Sequence, residues 1–119
     1  MSNTMGTRPG ANRGPYSNRD REIITLPAAH GLPVPEIPPV KEWSPYELSL
    51  WTTYWESPQA SQWGDDLVPA VASLVAYQVK QMTGGTSAHE NKFVADMIEA
   101  LGISPQAQKR LSWKVQTDG

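Results

Sequence analysis

The sequence has 119 residues, no cysteine, eleven prolines and a formal charge of -2. That length predicts one domain, at most with a tail. The missing cysteine excludes disulfides, a thiolate nucleophile, iron–sulfur clusters and cysteine-based zinc sites, and two histidines, His30 and His89, are too few for a histidine-rich metal centre.

Seven of the prolines (Pro9, Pro15, Pro27, Pro33, Pro35, Pro38 and Pro39) fall before residue 44. Proline locks φ and lacks a backbone donor, so residues 1–43 are read as an extended arm rather than a regular helix or a central strand. Its first part, 1–21, is basic: Arg8, Arg13, Arg19 and Arg21 stand against Asp20 alone. Its second part, 22–43, is apolar and proline-spaced, which favours polyproline II packed along a groove or a neighbouring subunit. The plain alternative is a disordered leader with no partner. The opening MSNTMGTRPG lacks the apolar core of a signal peptide, so a cytoplasmic protein is expected.

Helical patterning begins at Ser44. Ser44-Pro45-Tyr46-Glu47 combines a cap, a first-turn proline and the glutamate of a capping box. Leu48, Trp51, Tyr54 and Trp55 are expected to share one face. Pro58 ends this helix near Glu56, because the residue before a proline avoids helical angles. Ser57-Pro58-Gln59-Ala60 then starts a short turn towards Trp63. A second helix is expected from Asp66 as cap, with Pro69 at its third position, to about Met82, and Thr83-Gly84-Gly85-Thr86 forms a loop. Ser87 and Glu90 frame the third helix, Gly102 stops it, and Ser104-Pro105 opens a fourth that runs to about Trp113.

No stretch alternates well enough to predict a strand. The expected fold is therefore all-α: a short helical domain over 44–115 built on a central antiparallel helical hairpin, preceded by the extended 1–43 arm and followed by a 116–119 tail. About 70 residues hold little net stability alone, so oligomerisation is the expected supplement. The hairpin stripe of Leu67, Val71, Leu74, Val75, Phe93, Met97 and Leu101 is its candidate element.

Catalytic chemistry finds little support. Asp65 and Asp66 read as helix-start acids, Glu47 and Glu90 as capping-box members, and Ser44, Ser57, Ser87 and Ser104 each precede a helix. His89 falls on an outward face, and His30 has no evident partner. No Gly-x-Ser-x-Gly elbow or phosphate-binding loop is present. No enzyme, metal, cofactor or small-molecule substrate is expected. No run of about 18 apolar residues predicts a membrane span.

Four of the five tryptophans (Trp43, Trp51, Trp55, Trp63 and Trp113) lie within 21 residues. Rings of that size suit a core and a subunit interface alike. Base stacking needs interleaved basic residues, and no Lys or Arg lies between Trp43 and Trp63. Charge divides by segment: residues 22–108 carry three lysines against ten acids, whereas Lys109, Arg110 and Lys114 stand against Asp118. Basic ends of this kind bind phosphate through counterion release.

The order Leu50-Trp51-x-x-x-Trp55-x-Ser57-Pro58-Gln59-Ala60-x-x-Trp63, then Asp66 and a Leu/Val-rich helix, then Leu101-Gly102-Ile103-Ser104-Pro105-x-x-x-x-Arg110-Leu111-x-Trp113, resembles the small terminase subunit of tailed double-stranded-DNA bacteriophages. The resemblance implies a helical, ring-forming, non-catalytic DNA-packaging protein in the cytoplasm of the infected bacterial host. Its implied partners are double-stranded viral DNA, further copies of itself and the large terminase subunit that holds the ATPase and nuclease. The chain departs from many members in showing no helix-turn-helix before residue 44. Candidate DNA contacts are Arg8, Arg13, Arg19 and Arg21, with Lys109, Arg110 and Lys114 as a second set. The competing expectation is a helical interaction or scaffolding module that never touches DNA.

Overall fold

The computed structural model describes residues 23–116. In chain order the elements are strand β1 (Ile24–Leu26), helix α1 (Pro45–Glu56), 3-10 turns at Pro58–Gln62 and Asp65–Leu67, helices α2 (Val68–Met82), α3 (Ala88–Ala100) and α4 (Pro105–Arg110), and strand β2 (Trp113–Val115). The fold is mostly helical.

It is not wholly helical. β1 and β2 form a two-stranded parallel sheet with Ile24 opposite Trp113, Thr25 opposite Lys114 and Leu26 opposite Val115. Bonds from Ile24 N to Ser112 O and from Gln116 N to Leu26 O, both 2.7 Å, close its two ends. This corrects the all-helical expectation. Each strand is an apolar–polar–apolar triplet, too short for alternation to register, and its partner lies almost the whole chain away.

The helix starts follow their local chemistry. Ser44 and Ser87 both cap through Oγ, and Glu47 and Glu90 return the bond to the cap amides, completing two capping boxes. α3 ends as a Schellman stop: Gly102 takes a left-handed φ of 75°. Its amide donates to Glu99 O at 3.2 Å, and that of Ile103 donates to Ile98 O at 3.0 Å.

Two helix boundaries and one helix face differ from expectation. Asp66 does not cap α2. Asp65 and Asp66 lie in a 3-10 turn, Leu67 holds the cap position without a side-chain bond, and Pro69 falls in the first turn, at the second helical position rather than the third. α4 stops at Arg110, because Ser112 adopts a φ of 63° and turns Trp113 out of the helix into β2. Leu48 is 42 % exposed, since the inner stripe of α1 is Glu47, Trp51 and Trp55 at four-residue spacing.

The core is aromatic. Trp55 meets Trp51 in a tilted contact, with ring centres 5.6 Å apart, and Trp63 edge-on at 5.1 Å. Such pairs add about 0.5–1.5 kcal/mol each beyond their buried area. Trp63 Nε1 donates to Leu101 O at 2.9 Å, tying the turn after α1 to the end of α3. Around this cluster pack Val71, Leu74, Val75, Val94 and Leu101. Across the loop between α2 and α3, Tyr77 meets Phe93 edge-on, Lys80 pairs with Glu90, and Gln81 donates to Asn91.

Part of the apolar set expected to make contacts between copies is buried within the chain itself. Val71, Leu74, Val75 and Leu101 are buried, and Leu67, Phe93 and Met97 pack partly buried against them. The four buried residues are closed off by their own helices, whereas Leu67, Phe93 and Met97 keep part of their surface open.

Residues 27–43 contain no helix or strand, yet they are fastened to the helices. Trp51 Nε1 of α1 donates to Pro35 O at 2.8 Å, while Trp43 Nε1 donates to Pro38 O at 2.8 Å within the arm itself. His30, expected to lack a partner, joins the arm to α1. Its Nδ1 accepts from Leu32 N at 2.9 Å, so Nε2 carries the proton and donates to Trp55 O at 2.8 Å. Leu26, at 0 % exposure, anchors the arm's start.

Candidate functional site

Of the basic residues near the two ends of the sequence, the described ones lie on α4 and on the small sheet. Arg8, Arg13, Arg19 and Arg21 lie outside the described residues. The described chain begins at Ile23, two residues beyond Arg21, and β1 starts at the next position. β2 is bonded beside it and carries Lys114 opposite Thr25, both exposed. Lys109 lies in the last turn of α4, where a cation opposes the negative end of the helix dipole. The sheet therefore joins the attachment point of the basic N-terminal segment to the basic C-terminal stretch.

The three C-terminal cations are not equivalent. Arg110 is engaged: its Nε donates to Glu99 Oε2 and its Nη2 to Glu99 O, each at 3.2 Å. Both side chains of that pair are about half exposed, so the pair is weakly held. Lys109 and Lys114 are exposed and have no side-chain partner among the described residues.

What holds this edge in place is Trp113. Its ring lies against Gly102, so closely that a Cβ at residue 102 would overlap ring atom Cζ3 and come within 2.7 Å of Cε3. Glycine at 102 thus serves twice: it permits the left-handed stop of α3 and leaves room for the ring. Ser104 Oγ caps α4 through Ala107 N at 3.0 Å, and Gln108 Nε2 reaches Gly102 O at 3.1 Å. These bonds fix α4, and hence Lys109, against the end of α3.

No protein-family model, curated protein or solved structure matches the chain.

Elsewhere the charges serve the fold. Lys41 Nζ bonds both oxygens of Glu47, at 2.9 and 2.7 Å, and Ser44 N adds a third bond to Oε1 at 2.8 Å. Burial pushes the Glu47 carboxyl up, but the Lys41 ammonium and the Ser44 bonds outweigh it and hold the group below its ordinary value. Glu90 is likewise lowered, first by the Ser87 amide and then by Lys80. Burial raises the Tyr54 phenol, which bonds Gln78. Among the described residues, no group of three or more His, Asp or Glu side chains is placed to hold a metal ion. No described helix is long and apolar enough to cross a membrane.

Proposed function

We propose that the protein is a small terminase subunit: a non-catalytic, ring-forming adaptor that binds double-stranded viral DNA and recruits the large ATPase–nuclease subunit in the host cytoplasm. The observation that carries this reading is the β1–β2 pairing. It sets Lys114 opposite Thr25, two residues after the described chain begins, and Lys114 and Lys109 are both free of partners among the described residues. Positive charge from both ends then works as one patch, and a DNA backbone gains from each phosphate neutralised. The sequence resemblance over 50–66 and 101–113 supports the family reading.

In this reading the α2–α3 pair is the helical hairpin on which the ring is built. Contacts between copies fall on apolar side chains still exposed, such as Tyr46 and Leu48 of α1 and Met82 at the end of α2. DNA contact assigns Arg8, Arg13, Arg19 and Arg21 as one set, with Lys109 and Lys114 as the other; Arg110 joins only by exchanging Glu99 for phosphate.

A scaffolding module without DNA contact is the second reading. It is favoured by Glu36, Glu42, Glu56, Asp65 and Asp66, which are exposed acids with no ion pair among the described residues. Native mass spectrometry and a DNA mobility shift separate the two. The terminase reading expects a closed oligomer of one discrete size and a shift at low salt. A strict monomer at micromolar concentration contradicts it, and an oligomer that leaves DNA unshifted supports the scaffold.

A further inference from the structure

Within the two-stranded sheet, Ile24 and Leu26 turn their backbone groups toward β2. Ile24 N donates to Ser112 O, and Leu26 O accepts from Gln116 N, both at 2.7 Å. Along a strand of trans peptides these groups alternate in direction, so Ile23 O, Thr25 N and Thr25 O point away from β2. None of the three has a hydrogen-bond partner among the described residues. Ile23 is 70 % exposed, and Thr25 is exposed near it. A sheet of two three-residue strands is marginal by itself, and an unpaired edge is a template for a further strand.

The chemistry of the edge selects a second copy as that strand. Residues 23–27, Ile-Ile-Thr-Leu-Pro, carry no charge, and the first three are β-branched, the class that favours strands. β1 therefore lacks the lysines that commonly block such an edge. β2 is centred on Lys114, which would stand opposite its own copy across a two-fold axis. The chain before residue 23 has a poor composition for a strand, with three glycines, two prolines and three asparagines. β1, in contrast, is complementary to itself. Centred on Ile24, an antiparallel pair sets Thr25 N of each copy on Ile23 O of the other, and Ile23 N on Thr25 O. Ile24 then faces Ile24, and Ile23 packs over Thr25 of the second copy. Pro27, which has no N–H to give, is not needed in that register.

We infer that the outer edge of β1 is a contact between copies: β1 pairs antiparallel with β1 of a second copy, centred on Ile24, giving a four-stranded sheet in the order β2-β1-β1-β2. The contact is two-fold, separate from the head-to-tail contacts that close a ring, and independent of DNA. An assembly that uses it holds an even number of copies.

Single cysteines test the register, because the chain has none of its own. Directly opposed residues of a non-hydrogen-bonded pair lie within disulfide reach, so oxidised Ile24→Cys should run as a covalent dimer on a non-reducing gel. Thr25→Cys should stay a single chain, since residue 25 faces residue 23 of the second copy. Thr25→Pro removes a donor that faces away from β2, so it spares the bonds between β1 and β2. Added to Ile24→Cys, it should raise the protein concentration needed for half-maximal dimer at least about tenfold, from two lost bonds. Ile23→Lys, at an exposed position, should act the same way by charging the edge, which keeps the test independent of the proline. No dimer from Ile24→Cys, as much dimer from Thr25→Cys, or a dimer indifferent to both edge changes overturns the inference. Native mass spectrometry of the unaltered chain should count an even number of copies. An odd count, one included, overturns the inference as well, and an odd closed ring does so while leaving the ring reading intact.

Discussion

Replacing Gly102 with alanine tests how the basic edge is held. Residue 102 has a φ of 75°, and forcing a side-chain-bearing residue into left-handed geometry costs roughly 1–2 kcal/mol. The new Cβ also runs into the Trp113 ring, reaching 2.7 Å from Cε3 and 3.0 Å from Cη2. Overpacking of that kind costs about 1–3 kcal/mol more. Gly84 is the internal control: its φ is 86°, and a Cβ there meets nothing within 4 Å, so Gly84→Ala carries the backbone cost alone. Urea unfolding followed by tryptophan fluorescence should therefore show Gly102→Ala losing about 2–5 kcal/mol and Gly84→Ala about 1–2. In a Trp113→Ala background the Gly102→Ala loss should fall to the Gly84→Ala value, since the ring that causes the excess is gone. Equal losses for the two glycine variants in the natural background would refute the proposed packing of β2.

Four further outcomes follow from the same geometry. The Glu47 carboxyl is held below its ordinary value in the fold, so the stability it contributes is present above the ordinary carboxylate range and is lost as pH falls through the lowered value. Glu47→Gln should flatten that acid limb in pH-dependent denaturation, and an unaltered limb would contradict the role. Thr25→Cys/Lys114→Cys places the only two cysteines on register partners in adjacent strands, within disulfide reach. On oxidation the pair should close within one chain, as read on a non-reducing gel, whereas a covalent dimer would mean that β1 pairs with β2 of a neighbour. Trp51→Phe removes the bond to Pro35 O and should cost about 1 kcal/mol. It should also speed proteolysis within 27–43, and an unchanged cleavage rate would deny that this indole fastens the arm.

Local chemistry was legible in the sequence, and long-range pairing was not. Both capping boxes, the Gly102 stop and the serine–proline helix starts sit where their residues predict, because each is decided within a few positions. The β1–β2 pair escaped because three-residue strands carry almost no periodic signal. Ile24-Thr25-Leu26 and Trp113-Lys114-Val115 do share an apolar–polar–apolar order, the only local hint. The end of α4 was misplaced because Ser112 takes a left-handed angle without being glycine or asparagine, the residues that usually announce such a stop. The spacing of Leu67, Val71, Leu74, Val75, Phe93, Met97 and Leu101 predicts apolar helix faces, and all seven belong to the core or pack against it. Such spacing says that a face is covered but not by what: Val71, Leu74, Val75 and Leu101 are covered within the chain, and Leu67, Phe93 and Met97 only in part. His30 was opaque for a related reason: its partner, Trp55 O, is a backbone carbonyl at the end of a helix 25 residues away.

The central claim is that the joined basic ends bind DNA, and the salt dependence of DNA affinity tests it most directly. Fluorescence anisotropy with a labelled duplex should give log K falling linearly with log salt concentration. The Lys109→Ala/Lys114→Ala variant should have a slope shallower by about 1.8, from two lost phosphate contacts. Removal of residues 1–21 should flatten it further while leaving assembly intact. No binding by the full chain at low salt, or a slope indifferent to both changes, would contradict the account.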